Sequence, residues 1–155
     1  MFNDFLATFS QQLTPQMWGV VATATYETIY ISFASTLLAV VVGVPVGVWT
    51  FLTGKNEILQ NNRTHFVLNT IINIGRSIPF IILLLILLPV TRFIVGTVLG
   101  TTAAIIPLSI CAMPFVARLT ANALMEIPNG LTEAAQAMGA TKWQIVRKFY
   151  LPEAL

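Results

Sequence analysis

Apolar residues run along this chain in long unbroken stretches, not in the short alternations of soluble elements. No charged residue interrupts Thr28 to Gly54 or Phe93 to Ala117, 27 and 25 residues, and each exceeds the roughly 20 that a helix needs to cross a bilayer. Between them, Ser77 to Thr91 is only 15 residues, but it holds the most apolar run, IPFIILLLILLPV, after the mainly apolar FVLNTIINIG. Lipid offers backbone groups no partners, so the spans must be helical. The pattern predicts an all-α polytopic membrane protein with spans at about 28–52, 71–90 and 97–117. Residues 1–25 become an N-terminal extracytoplasmic segment, and 129–155 a loop beyond the third span.

Past that span the period becomes amphipathic. Arg118, Asn122 and Glu126 form a polar stripe on a helix emerging into water, until Pro128 ends or turns it. Asn129 is suited to cap a new helix, with Leu131, Ala134, Ala135 and Met138 on one face. Gly139 can take the left-handed conformation that ends a helix, and Thr141 with Gln144 has the spacing of a capping box that starts another. In that second helix Trp143, Val146, Phe149 and Tyr150 share an apolar side, Lys142, Gln144, Arg147 and Lys148 lie mostly elsewhere, and Pro152 stops it. Taken by periodicity alone, it is a basic amphipathic helix resting on a membrane.

Composition agrees with the pattern: 56% of residues are hydrophobic, 9% are charged and the mean hydropathy is +0.81, against about 25% charged in soluble domains. A net charge of +2 gives no reason to expect nucleic acid. The basic residues matter by position. None precedes the first span, Lys55 and Arg63 follow it, only Arg92 lies between the second and third, and Arg118, Lys142, Arg147 and Lys148 come after the third. Lys and Arg concentrate in cytoplasmic loops, which sets the N-terminus outside and the terminal segment inside. Met1 to Glu27 has neither a basic n-region nor a cleavage pattern, so the first span is expected to insert itself. Pro45, Pro79, Pro107 and Pro114 predict bends. Small residues recur at four-residue spacing in Gly43 and Gly47, and in Gly96, Gly100 and Ala104. Such faces let helices approach closely, within one subunit in the first instance.

Candidate chemistry is sparse. Cys111 lies in an apolar span with no partner, and no metal-ligand or Ser/His/Asp grouping can be assembled. GKN at Gly54 to Asn56 has Trp49 where a Walker A motif needs its first glycine, so ATP would be handled by another chain. His65 reads as a solvated loop residue beside Arg63. Arg76, about 7 Å into a helix beginning near Ile71, must face protein, water or headgroups, because a guanidinium at the membrane centre costs roughly 2.5–3.5 kcal/mol on insertion scales. Snorkelling to the headgroups is the plainer account and a role in a substrate pathway the sharper one. Asn69 and Asn73 are its expected polar neighbours.

The wording of the terminal segment, EAAQAMGATKWQIVRKFYLPEAL, resembles the cytoplasmic EAA loop of permease subunits of bacterial ABC importers. The matching positions are Glu133, Ala134, Ala135, Gly139, Leu151 and Pro152, with Phe149 where that family usually carries Ile. GVPVGV, GRSIPFIILL, LPVTRFIVGTVLGTTAAIIPL and PFVARLTANALMEIP extend the similarity toward the methionine-uptake branch of the family, from about Tyr26 to Leu155. The resemblance implies the ABC transmembrane type-1 fold over 26–155, incomplete at its C-terminus, since those permeases continue with further helices after the LP. It implies a loop, 129–155, that couples to an ATPase through Glu133, Ala134, Ala135, Gly139, Phe149, Leu151 and Pro152. Its partners would be two cytoplasmic ATP-binding subunits, a second permease copy, an extracytoplasmic substrate-binding protein and membrane lipid, with no cofactor or metal. Arg76 and Asn73 stand as pathway or interface residues. Substrate translocation in the bacterial inner membrane by alternating access, with methionine as cargo, is the expected function. The alternatives are an importer permease for another amino acid, or a truncated, anchored protein that docks an ATPase and transports nothing.

Overall fold

The computed structural model describes residues 15–55, 57–128, 130, 135 and 137–150. Helix α1 spans Pro15–Leu52, α2 Asn62–Ser77, α3 Phe80–Val95 and α4 Thr101–Met125, and a short α5, Lys142–Ile145, runs into a π-helical turn over Val146–Tyr150. α1 and α4 are each long and apolar enough to cross a membrane, and α2 with α3 form a pair bent by 105° that counts as one further span by length and composition. The all-α expectation holds.

α1 has 38 residues, about 57 Å at 1.5 Å per residue, well beyond a hydrocarbon core of about 30 Å. Met17 to Tyr30 is exposed throughout; burial begins at Ile31 and recurs at Ser35, Ala39, Gly43 and Gly47. This stripe packs on α4, the dominant helix contact. A Cβ on Gly43 would lie 2.8 Å from the Val116 Cβ, and one on Gly47 would run into the Ala117 carbonyl oxygen. Packing within one subunit is therefore what the Gly43/Gly47 spacing encodes. Gly96 and Gly100 are different. Both lie outside α4 with positive φ, 83° and 104°, and a Cβ on either would meet nothing within 4 Å. They are corner residues, Gly96 capping α3 through its N–H to the Arg92 carbonyl at 2.8 Å, and they carry no helix contact.

The span expected at about 71–90 starts earlier than predicted, and the bend expected at Pro79 is a full break. Its helix begins at Asn62, where the Asn61 carboxamide accepts from the Arg63 and Thr64 amides, and it stops at Ser77. Pro79 has no N–H, and its ring pushes Ile78 out of helical backbone to φ −78°, ψ 124°. Arg76 consequently lies about 21 Å from the start of its helix, in the last turn before the break, where a cation suits the helix dipole. α4 carries the helix of the third span on to Met125, past Pro107 and Pro114 and through the Arg118/Asn122 stripe, as the sequence suggested. In α1 and α4, Thr23, Thr25, Thr28, Ser35, Thr50, Ser109 and Thr120 each donate to the carbonyl four residues back, whereas the buried Thr91 hydroxyl of α3 has no hydrogen-bond partner among the described residues.

Candidate coupling segment

The terminal segment is built on the end of α1. Leu59 donates its amide to the Leu52 carbonyl and Asn61 to that of Thr53, both at 3.1 Å, so the connection folds back across the helix end. This leaves Phe51 and Leu52 as a platform. Leu124 from α4 joins them, and Ala135, Ile145, Val146 and Tyr150 settle on top as one buried cluster, flanked by half-buried Val48, Ile58, Ile127, Ala140 and Phe149. Phe51 meets Tyr150 edge to face at 5.2 Å between ring centroids, an arrangement worth about 0.5–1.5 kcal/mol beyond area burial. The Tyr150 hydroxyl donates to the Glu57 carboxylate at 3.5 Å. Burial pushes the Glu57 carboxyl above its ordinary 4.5, and the tyrosine hydrogen bond pulls it partly back.

The corner takes the expected form. Gly139 has φ 78°, and the Ala140 amide reaches back to the Ala135 carbonyl at 3.0 Å, the six-to-one bond of a Schellman ending. Thr141 then opens α5 with a complete capping box: its amide donates to the Gln144 side chain at 2.8 Å, while its hydroxyl accepts from the Gln144 amide at 3.4 Å. The apolar face differs from the sequence pattern. The π-helical turn places residues five apart in line, so Ile145, Val146 and Tyr150 are buried and Phe149 half-buried, while Trp143 is 70% exposed. Met138 is likewise 73% exposed. Of the expected coupling residues, Ala135 and Phe149 meet in this cluster and Gly139 forms the exposed corner; Glu133, Ala134, Leu151 and Pro152 lie outside the described residues.

The polar residues of α2 do not assemble as expected. Arg76 and Asn73 are both exposed, and the Asn73 carbonyl accepts from Ser77. Asn69 turns away from Arg76. Its carboxamide oxygen accepts from Arg118 of α4 at 3.0 Å, and its nitrogen lies 2.7 Å from Nε2 of His65, whose Nδ1 is 2.9 Å from the Thr50 carbonyl oxygen of α1. His65 is thus half-buried on a helix, not solvated in a loop. Arg118 is half-buried as well, whereas Asn122 and Glu126 are exposed. The signal for this group was the i, i+4 spacing of His65 and Asn69; no feature of the sequence pairs them with Arg118.

Residues 39–155 match the family described as the binding-protein-dependent transport system inner membrane component. The chain belongs to this family. Among relatives in the binding-protein-dependent transport family, the "Probable D-methionine transport system permease protein MetI" of Haemophilus influenzae is 97% identical over 139 residues, 90% of this chain and 65% of that protein. The D-methionine transport system permease protein MetI of Escherichia coli K12 is 51% identical over 141 residues, covering 91% of this chain and 64% of that one. The chain thus spans about 65% of the length of such relatives. An inward-facing structure of the MetNI methionine ABC transporter superposes with a TM-score of 0.90 at 48% identity, over 92% of this chain and 66% of the other. The architecture is that of an ABC permease, and the protein is an inner membrane component of a bacterial transporter.

Proposed function

We propose that this chain is the greater part of the permease of an ATP-driven importer that takes up methionine, in both D and L forms. The observation that carries the reading is the 97% identity to a relative whose name specifies D-methionine transport. The architecture supplies a mechanism. Two cytoplasmic ATP-binding subunits close on ATP, and each bears on one coupling segment through the exposed Met138 and Trp143. The segment is anchored to Phe51 and Leu52, so its displacement moves the end of α1, and the close Gly43/Gly47 contact makes α1 and α4 travel together. A second permease copy lies across the substrate route, and the break at Ile78–Pro79 lets α2 and α3 swing as separate halves during alternating access. Glu133, Ala134, Leu151 and Pro152 complete the coupling surface, and an extracytoplasmic binding protein delivers the substrate. Arg76 and Asn73, exposed next to the break, face the route or the partner copy. Residues 26–155 form the permease domain, with lipid around the exposed outer length of α1. ATP hydrolysis belongs to the partner subunits.

The Lys/Arg asymmetry orients the protein with its N-terminus outside and 129–155 in the cytoplasm. In a Cys111→Ser background, an impermeant thiol reagent on intact cells should label Met17→Cys and spare Lys55→Cys; the reverse pattern inverts the topology. The functional test uses the chain completed with the remaining residues of its Haemophilus influenzae relative, produced with its ATPase and binding protein in cells lacking other methionine uptake. Labelled D- and L-methionine should accumulate and stop accumulating on ATP depletion. Accumulation of a different amino acid instead would reject the substrate. The 155-residue chain alone is expected to support no uptake, and no observation favours a protein that only docks an ATPase.

A further inference from the structure

Among the described residues, the side-chain hydrogen bonds that tie one membrane helix to another are those of Arg118 with Asn69 and of His65 with Thr50. The 2.7 Å contact between Asn69 and His65 joins them into one line running α4, α2, α1. Its polarity is fixed at both ends. The Thr50 carbonyl can only accept, so the ring must carry a proton on Nδ1, and the Arg118 guanidinium can only donate, so it must meet the carboxamide oxygen of Asn69. The Asn69 amide therefore points its N–H at Nε2, which has to be bare. Every donor finds an acceptor in one arrangement alone: the neutral Nδ1–H ring, with Asn69 in its present orientation. Turning the carboxamide over would face two donors at the Arg118 end and two acceptors at Nε2.

The line begins at Thr50, 1% exposed and next in sequence to Phe51 and Leu52, on which the coupling segment rests. It passes through the face of α2 that lines a cavity of about 420 Å³ with Asn62, Asn69, Thr70 and Asn73. Packing of α2 on α1 is sparse compared with that of α4 on α1, and apolar contacts have no fixed register along a helix, whereas directed hydrogen bonds do. We propose that His65 and Asn69 are positioning residues, a polarised strut that makes α2 follow the end of α1 when the coupling segment moves. This rests on the importer reading above. Without the strut the ATPase would still bind and still move the segment, but less of that motion would reach the polar half-helix, so the loss would fall on methionine moved per ATP hydrolysed.

The test uses the completed permease with its ATPase, reconstituted in lipid vesicles with its binding protein. Asn69→Leu and His65→Leu should each lower methionine transported per ATP by about fivefold or more, at the lower end of a typical coupling between sites, with ATPase capture unchanged. His65→Gln, whose amide offers one donor and one acceptor as the neutral ring does, should keep more of the ratio than His65→Leu. Capture and hydrolysis falling in step with uptake, or an unchanged ratio, would overturn the strut and leave a fold contact. The second readout needs no transport: nitrogen-15 histidine spectra, assigned by loss of the signal in His65→Gln, should show the neutral Nδ1–H tautomer. An Nε2–H ring overturns the proposal. Wild-type vesicles that move no methionine would sink the importer reading, while the tautomer on the same sample still upholds or rejects the strut.

Discussion

Gly139 is where one residue's conformation has the widest consequence, because its positive φ aims α5 back onto Phe51 and Leu52. A Cβ there would meet no atom within 4 Å, so Gly139→Val acts through backbone strain, at least about 1–2 kcal/mol. Membrane insertion should be unchanged, while ATPase co-purified per permease falls; capture equal to wild type would mean that the corner is not needed. Glu57 makes a second prediction. Its carboxyl is held above 4.5 by burial, so the folded state binds that proton more tightly than the unfolded one. The stability this brings is present below 4.5 and is lost as pH rises through the folded value. Glu57→Gln keeps an acceptor for Tyr150 and should melt higher than wild type in detergent at neutral pH, with the gap narrowing toward 4.5. A wild type that melts higher at neutral pH would contradict this. Gly139 and the Thr141/Gln144 box were legible in the sequence because their conformations are local. Glu57 with Tyr150 was not, since residues 93 apart meet only through the fold.

Among the elements, α1 and α4 were foreseeable from uninterrupted apolar runs, yet α1 extends well before the predicted start. Met17 to Glu27 is helical and exposed throughout, a stretch whose polar Thr and Glu residues broke the apolar pattern but not the helix. The broken α2–α3 pair was half legible. Pro79 announced a bend, but hydropathy started the helix near Ile71 and missed the polar turns that α2 adds from Asn62. The π-helical turn left no trace in the period, so Trp143 was placed on a face from which it is rotated out and Ile145 was missed. Close packing of α1 on α4 makes its own prediction. Gly47→Ala forces a methyl into the Ala117 carbonyl and to 2.7 Å from the Thr120 Cβ, and overpacking of this kind costs about 1–3 kcal/mol. Gly19→Ala, which meets nothing within 4 Å, should be neutral or mildly stabilising in its helix. Equal thermal shifts of the two purified variants would refute the close approach.

For the molecule as a whole, the described helices divide into an α1–α4 pair, a broken α2–α3 pair laid along α4, and a short terminal segment packed on the end of α1. Apolar runs and the wording of the terminal segment were enough to anticipate a permease. They could not show that α1 supplies the platform, because Phe51 and Leu52 look like any other apolar end of a span. The central claim is that this platform presents the segment to an ATPase. The direct measurement is crosslinking from a photoreactive residue at Met138, in the completed permease co-expressed with its ATPase, with Trp18 as control on a face 59% exposed at the far end of α1. Irradiated membranes should give a permease–ATPase adduct from position 138 whose yield changes with ATP, and none from position 18. No adduct at 138, or equal yields from both positions, would contradict the account and leave the segment a basic helix lying on the membrane.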